Sequence, residues 1–94
     1  MKIEFDPKKR AWTLKHRGLD FADARYIFDG VEITMEDASE AYGESRYLTI
    51  GTLNGRVVVV AWTPRDRGDA EVIRIISMRN ANEREIETFR EQFR

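Results

Sequence analysis

The chain has 94 residues, a formal net charge of −1, no cysteine and a single histidine. These features exclude disulfides, thiolate metal sites and histidine-cluster zinc sites, and the apolar runs are too short for a transmembrane helix. We therefore expect one domain spanning residues 1–94, with no metal, no cofactor and no membrane contact. The N-terminus lacks the apolar segment of a signal peptide, which predicts a cytoplasmic protein.

Charge is segregated along the chain. Residues 1–17 contain six Lys or Arg against two Asp or Glu, residues 18–45 one against eight, and residues 46–94 nine against seven. All nine basic residues of the last block are arginines. Planar guanidinium groups bind phosphate in a bidentate manner, which indicates an anion-binding surface, although ordinary surface salt bridges give the same composition.

The first third of the chain predicts a strand and two helices. Residues 2–5 form the strand, and Asp6-Pro7 then supplies a helix N-cap and a proline at the first helical position. This helix is expected to end near Gly18 and to carry Ala11 and Trp12 towards the core. Asp20 caps a second helix, which ends at Gly30 and has an apolar stripe formed by Phe21, Ala24, Ile27 and Phe28.

The middle of the chain predicts three strands. Apolar and polar residues alternate from Val31 to Glu36, which is typical of a half-buried strand, and residues 37–45 are expected to form a loop. Residues 46–53 and 56–63 flank Asn54-Gly55, a strong signal for a two-residue hairpin turn. Four consecutive valines at 57–60 predict a strand covered on both faces, by helices on one and by a partner on the other.

The last third predicts one more strand and a helix. Pro64 is expected to end the valine strand, residues 65–70 to form a charged loop, and residues 71–78 to form a strand. Asn80 or Asn82 caps a final helix that aligns Ile86, Phe89 and Phe93. The order β-α-α-β-β-β-β-α predicts an α+β fold, with an antiparallel sheet of about five strands, two N-terminal helices and one C-terminal helix.

Several motifs, taken in order, resemble the BrnT family of toxins, and together they cover nearly the whole chain. The N-terminal motifs are Phe5-Asp6-Pro7-x-Lys9, Lys15-His16, Gly18, Asp20-Phe21-x-x-Ala24 and Ile27-Phe28. The later motifs are Glu36-Asp37, Tyr42-Gly43-Glu44-x-Arg46, Ile50-Gly51, the valine strand and Arg74-Ile75-Ile76-Ser77-x-Arg79-x-Ala81-x-x-x-Glu85-x-x-x-Phe89.

The resemblance implies a RelE-like ribonuclease fold and a toxin of a type II toxin-antitoxin system that cleaves RNA without a metal. It also implies neutralisation by a ribbon-helix-helix antitoxin, BrnA-like, in a complex that represses its own operon. Operator DNA would then be contacted through the antitoxin alone. The expected partners of the chain itself are therefore RNA and the antitoxin.

The chain departs from the family pattern at three places. Arg17 separates His16 from Gly18, the Trp12-Thr13 region replaces an asparagine that is usual in the first helix, and Phe89 stands where a tyrosine is common. A hydroxyl that took part in proton transfer would be missing at Phe89. These departures motivate an alternative hypothesis, a catalytically inactive antitoxin-binding module that acts within the autorepressor complex.

Metal-free RNA cleavage needs a base for the 2′-hydroxyl proton, cations for the charge that develops on phosphorus, and an acid for the leaving 5′-oxygen. His16 and the adjacent Lys15 are candidate catalytic residues, since histidine is the side chain that most readily exchanges a proton near neutral pH. A histidine at a helix C-terminus is equally explained by its interaction with the helix dipole.

Arginines are the candidates for contact with phosphate. We predict catalytic roles for Arg46 and Arg79, and an RNA-binding role for Arg74. In a regular strand Arg74 and Arg79 lie on opposite faces, so they share a site only if that strand bulges or ends early. The alternative for Arg79 is a structural pair with Glu83 or Glu85.

The remaining candidates lie in the two predicted loops. Glu44 is a candidate catalytic base, and its alternative role is to orient Arg46. Arg65 and Arg67 are candidates for RNA binding from a charged loop. Tyr42 is a candidate for stacking on an RNA base, although tyrosines at such positions are more often packing residues.

Overall fold

The computed structural model describes residues 2–37 and 43–93, which form three α-helices and five strands. The strands are β1 (Lys2–Glu4), β2 (Glu32–Asp37), β3 (Arg46–Leu53), β4 (Arg56–Arg67) and β5 (Ala70–Asn80). The helices are α1 (Pro7–Arg17), α2 (Ala24–Asp29), which follows a 3₁₀ turn at Phe21–Asp23, and α3 (Glu83–Gln92). No helix in the described ranges is long and apolar enough to span a membrane.

The five strands form one mixed sheet in the order β1-β5-β4-β3-β2. Only the β1–β5 pair is parallel among the described strands, and the other neighbours run antiparallel. The Asn54-Gly55 turn joins β3 to β4 with positive φ at both residues, which confirms the predicted hairpin. The α+β prediction is therefore confirmed, and the architecture is compatible with the RelE-like label.

Strand β4 lies in the middle of the sheet, and its valines are covered on both faces. On one side Val58 and Val60 pack against Phe21, Ala24 and Ile27, which confirms the predicted stripe of the second helix. We call this side the helical face. On the opposite side Val59 packs with Ile50 and with Phe89 of α3. The expectation that a partner covers this second side is wrong where α3 lies, because the chain supplies that cover itself.

Helix α1 is capped as predicted but turns a different side to the core. The Asp6 carboxylate accepts from the Lys8 amide at 2.9 Å, and Gly18 adopts the left-handed C-cap conformation. The prediction that Ala11 and Trp12 point to the core is wrong. Thr13 is the buried residue of this helix, and the Trp12 side chain is 49 % exposed.

Strands β4 and β5 are longer than predicted. β4 continues through Pro64 to Arg67, so Pro64 does not end the strand and Arg65 and Arg67 are strand residues rather than loop residues. The pairing of β4 with β3 stops at Trp62, which leaves Pro64 with a neighbouring strand on one side, where a missing N–H is tolerated.

A bulge interrupts β5 at Ile76. Ala61 lies opposite Ser77, whereas the next residue, Trp62, lies opposite Ile75, so Ile76 is an extra residue in β5. The bulge shifts the alternation of side chains by one residue. As a result Ile75 and Met78, three positions apart, both belong to the core of the helical face.

Candidate functional site

Arginines from three strands of the described chain share the side of the sheet opposite the helical face. Thr63 pairs with Arg74 and Val59 pairs with Arg79. Paired residues of antiparallel strands lie on the same side, and Thr63 and Val59 are an even number of positions apart in β4. The bulge therefore brings Arg74 and Arg79 onto one face, the condition under which the sequence allowed them to share a site.

The alternation of β3 and β4 adds the other members. Arg65 and Arg67 follow Thr63 at steps of two, and Arg46 precedes Tyr47, which stacks on Trp62 on the helical face. We call the opposite side the arginine face, defined by Arg46, Arg65, Arg67, Arg74 and Arg79.

Glu4 of β1 holds two of these arginines. Its carboxylate accepts from Arg67 at 2.8 and 3.2 Å and from Arg74 at 3.2 Å. The hydrogen bond from Arg67 is the main reason that the pKa of Glu4 lies below its ordinary value, with a smaller contribution from Arg74. Glu4 is therefore ionised at neutral pH, and its one carboxylate pairs with two guanidinium groups.

Glu44, which precedes β3, links Arg46 and Arg65. Arg65 donates to one carboxylate oxygen at 2.6 Å, and Arg46 lies 3.7 Å from the other. The hydrogen bond from Arg65 lowers the pKa of Glu44, so this carboxylate is a weak base near neutral pH. This arrangement agrees with the alternative role, in which Glu44 orients Arg46, and extends it to Arg65.

Arg79 is paired with Glu85 in a bidentate manner, at 2.7 and 2.9 Å. Glu85 also accepts from the amide of Asn82, and the Asn82 side chain accepts from the Glu85 amide, so the pair is part of the capping box of α3. Chiefly through the hydrogen bond between them, the pKa of Glu85 is lowered and that of Arg79 is raised. The predicted structural pairing of Arg79 is therefore present, with Glu85 as its partner.

The guanidinium groups of the arginine face are held by ion pairs. Its five arginines are paired with the carboxylates of Glu4, Glu44 and Glu85. Between Arg74 and Arg79 the floor of this face is made of small side chains, Ala61 and Ser77. Small residues leave room for a bound strand between the guanidinium groups.

Lys15 and His16 lie outside this cluster. Both are exposed near the end of α1, and in the described structure the contacts of the His16 ring are with Trp12 of the same helix. Nδ1 of His16 is 2.9 Å from the carbonyl oxygen of Trp12. Because a carbonyl oxygen only accepts, this contact is a hydrogen bond when Nδ1 carries the proton, and in that tautomer the lone pair is on Nε2.

The end of α1 is nevertheless fixed to strand β5. Arg17 donates to the backbone oxygen of Met78 at 2.7 Å, and Met78 is the residue before Arg79. The C-terminal turn of α1, with Lys15 and His16, is thereby attached to the same part of β5 that carries Arg79.

Two aromatic residues named in the sequence analysis, Tyr42 and Phe89, are not among the residues that define the arginine face. Tyr42 lies outside the described residues, so its predicted role in RNA binding stays a prediction. Phe89 is 8 % exposed and packs against Ile50 and Val59. Its ring is a core residue of α3, which explains an apolar side chain at this position.

The sequence analysis did not identify Glu4 and Arg17 as residues that hold the site together. Their contacts depend on which strand β1 pairs with and on which strand α1 lies against, and both are long-range features. A signal for Glu4 was available in the alternation of residues 2–5, which puts Glu4 opposite Ile3 and Phe5. Among residues 2–37 and 43–93, no group of three or more possible metal ligands comes together.

One family model matches residues 5–85, and its description is ribonuclease toxin, BrnT, of type II toxin-antitoxin system. The chain belongs to the BrnT family. The match confirms the resemblance and includes every arginine of the arginine face. This BrnT-family chain therefore has an antitoxin as a partner, and ribonuclease activity is the activity of its family. No curated protein matches the chain.

Proposed function

We propose that the chain is a metal-independent RNA endonuclease whose substrate binds across the arginine face. The observation that carries the proposal is that five arginines from three strands lie on one side of the sheet, in a chain of a ribonuclease toxin family. We further propose that a ribbon-helix-helix antitoxin neutralises the toxin and that operator DNA is contacted through the antitoxin alone.

On RNA binding, we expect the arginines to share their N–H donors between the carboxylates and the RNA phosphates. Arg67 and Arg74 share the carboxylate of Glu4, so part of their five N–H donors each can turn to an RNA phosphate without leaving Glu4 uncompensated. Arg46 and Arg65 offer the same arrangement around Glu44. The carboxylates hold the guanidinium groups in place before RNA arrives, which reduces the entropy lost on binding.

The chemical step is attack of a ribose 2′-oxygen on the adjacent phosphorus. A base takes the 2′-hydroxyl proton, the bond from phosphorus to the 5′-oxygen breaks, and an acid protonates that oxygen. The products are a 2′,3′-cyclic phosphate and a 5′-hydroxyl. Arg79 and Arg46 stabilise the extra negative charge that builds up on the phosphoryl oxygens, which is worth several powers of ten in rate when the donors are held in place.

His16 is the proposed base and Lys15 assists it with its charge. The Nδ1–H bond to the Trp12 carbonyl leaves Nε2 of the neutral ring as an acceptor, on an exposed side chain at the end of α1. Glu44 is a positioning residue in this proposal, because its lowered pKa makes it a poor acceptor of protons. RNA binding by Tyr42 remains part of the proposal because a tyrosine ring can stack on an RNA base.

The test is cleavage of a labelled RNA by purified chain, freed of antitoxin, in EDTA. Wild type is expected to yield 2′,3′-cyclic phosphate ends, Arg79→Ala and His16→Gln to cleave more slowly, and Arg25→Ala to cleave normally, because Arg25 is exposed on α2 above the helical face. Intact RNA with a folded wild-type chain would contradict the endonuclease proposal. Antitoxin binding by that inactive chain would support the alternative, an antitoxin-binding module without catalysis.

A further inference from the structure

Helix α1 combines basic charge with an exposed aromatic ring. Its eleven residues include five Lys or Arg and no Asp or Glu. Trp12 is 49 % exposed, although tryptophan, a large apolar residue, is highly buried on average. The Trp12 side chain belongs neither to the core nor to the residues that define the arginine face.

The Trp12 ring is held in place by cationic and aromatic neighbours. The His16 ring lies parallel to it, with 4.4 Å between centroids and an interplanar angle of 17°. The Arg17 guanidinium carbon lies 5.3 Å from the centroid of the Trp12 ring, and Arg17 is itself fixed to the backbone of Met78. The side chains are thus preorganised as a stack of planar groups on the surface.

A cleft separates the stack from β5 and reaches Ser77. β1 pairs with β5 only at residues 72–74 of the described strand, and α1 contacts β5 beyond that point, at Met78. This shallow cleft of about 240 Å³ lies between α1 and β5, and its lining consists of Lys9, Trp12, Thr13 and Arg17 of α1, of Phe21, and of Ile76 and Ser77 at the bulge of β5. Ser77 lies between Arg74 and Arg79 on the arginine face. A strand bound on that face can therefore pass over the edge of β5 and reach α1.

We propose that Trp12, held in place by His16 and Arg17, forms a stacking site for an unpaired base of the RNA strand that occupies the arginine face. The inference rests on the proposed function and adds a second contact region for the same single-stranded RNA. Exposed parallel rings suit a planar base, and cations on the same helix suit the backbone on either side of it. Lys9 lies one turn before Trp12 in α1 and lines the same cleft, so we expect it to supply a phosphate contact.

The experiment compares a short RNA of about four nucleotides with one of about twelve, because binding grooves for single strands differ in the number of nucleotides they cover. Both RNAs are 2′-O-methylated and therefore cannot be cleaved. Trp12→Ala is expected to weaken binding of the long RNA roughly tenfold, the effect of losing one base–aromatic stack, and to leave the short RNA unaffected. Tyr26→Ala is the matched control, since Tyr26 is an exposed aromatic residue of α2.

A second readout guards against a variant that fails to fold. Binding of the long RNA to wild type is expected to quench tryptophan fluorescence, and Trp12→Phe is expected to abolish most of that quenching while it keeps a ring that stacks. Equal affinity of wild type and Trp12→Ala for the long RNA would overturn the inference. If Arg74→Ala and Trp12→Ala both bind the long RNA with wild-type affinity, the proposed function fails. If Arg74→Ala weakens binding and Trp12→Ala does not, this inference fails alone.

Discussion

Arg74 and Arg79 lie five positions apart in β5, yet both belong to the arginine face, because Ile76 is an extra residue between them. The same bulge lets Ile75 and Met78 share the core of the helical face. One irregularity therefore satisfies the core and the candidate site at once. Bulges are frequent next to active sites, where they change the direction of a side chain.

Deletion of Ile76 is expected to be tolerated. It converts β5 into a regular strand in which Ile75 and Met78 still face the core and Arg79 still faces the site. Deletion of Ile50 is the control. Because β3 has no bulge, this deletion moves the side chains on one side of the deleted position to the opposite face of the sheet. Urea unfolding is expected to show a far larger loss of stability for the control, and equal losses would contradict the role given to the bulge.

Variants of Arg79 and Glu85 distinguish a structural role of Arg79 from a role in RNA binding. Arg79→Ala is expected to lower RNA affinity at least about tenfold, since a hydrogen bond to a charged group is worth roughly 1.5–3 kcal/mol. Glu85→Gln keeps an acceptor for the Asn82 amide, frees Arg79 from its carboxylate and is expected to maintain or raise RNA affinity. Equal loss of stability in both variants, with unchanged affinity in both, would show that the pair is purely structural.

Stability is expected to fall in acid. The pKa values of Glu4, Glu44 and Glu85 are lowered in the folded chain, mainly by hydrogen bonds from arginines. A lowered folded-state pKa stabilises the fold above the unfolded value, which is ordinarily 4.5 for these groups, and this contribution is lost as pH falls through the folded value.

Urea midpoints measured between neutral pH and acid check this expectation. Wild type is expected to lose stability as pH falls below 4.5. Glu85→Gln is expected to start from a lower midpoint and to lose less over the same range. A midpoint that is constant, or that rises in acid, would contradict the ion pairs of the arginine face.

Gly51 is expected to tolerate no side chain. A Cβ at this position would lie 2.7 Å from Cγ2 of Ile27, which is a stiff, buried side chain of α2. Gly51→Ala should therefore destabilise the chain by about 1–3 kcal/mol, the usual range for overpacking. Gly55→Ala is a poor control because Gly55 has positive φ, so Thr52→Ala, at an exposed position of the same strand, is used; equal effects would contradict this packing.

The local elements could be predicted from the sequence because their signals are local. Asp6 and Gly18 mark the ends of α1, Asn54-Gly55 marks the hairpin, and the spacing of Phe21, Ala24 and Ile27 marks the buried side of the second helix. Each signal acts through a hydrogen bond, a positive φ or a helical period within a few residues.

The candidate site could be predicted only in part. The arginines were identified by type, but their common face depends on a bulge that alternation cannot locate, and the extension of β4 through Pro64 depends on where β3 stops pairing. The orientation of α1 was wrong because Trp12 is the more apolar residue while Thr13 is the one that faces the protein. Composition favours tryptophan in a core, and tertiary packing overrides it here.

The most direct test of the central claim is the response of arginine Nε–H signals in nuclear magnetic resonance spectra to an uncleavable 2′-O-methyl RNA. We predict that the signals of Arg46, Arg65, Arg67, Arg74 and Arg79 shift on binding, while those of Arg25 and Arg56 stay in place. RNA that binds at saturation and leaves the five signals unmoved would contradict the arginine face as the RNA-binding site.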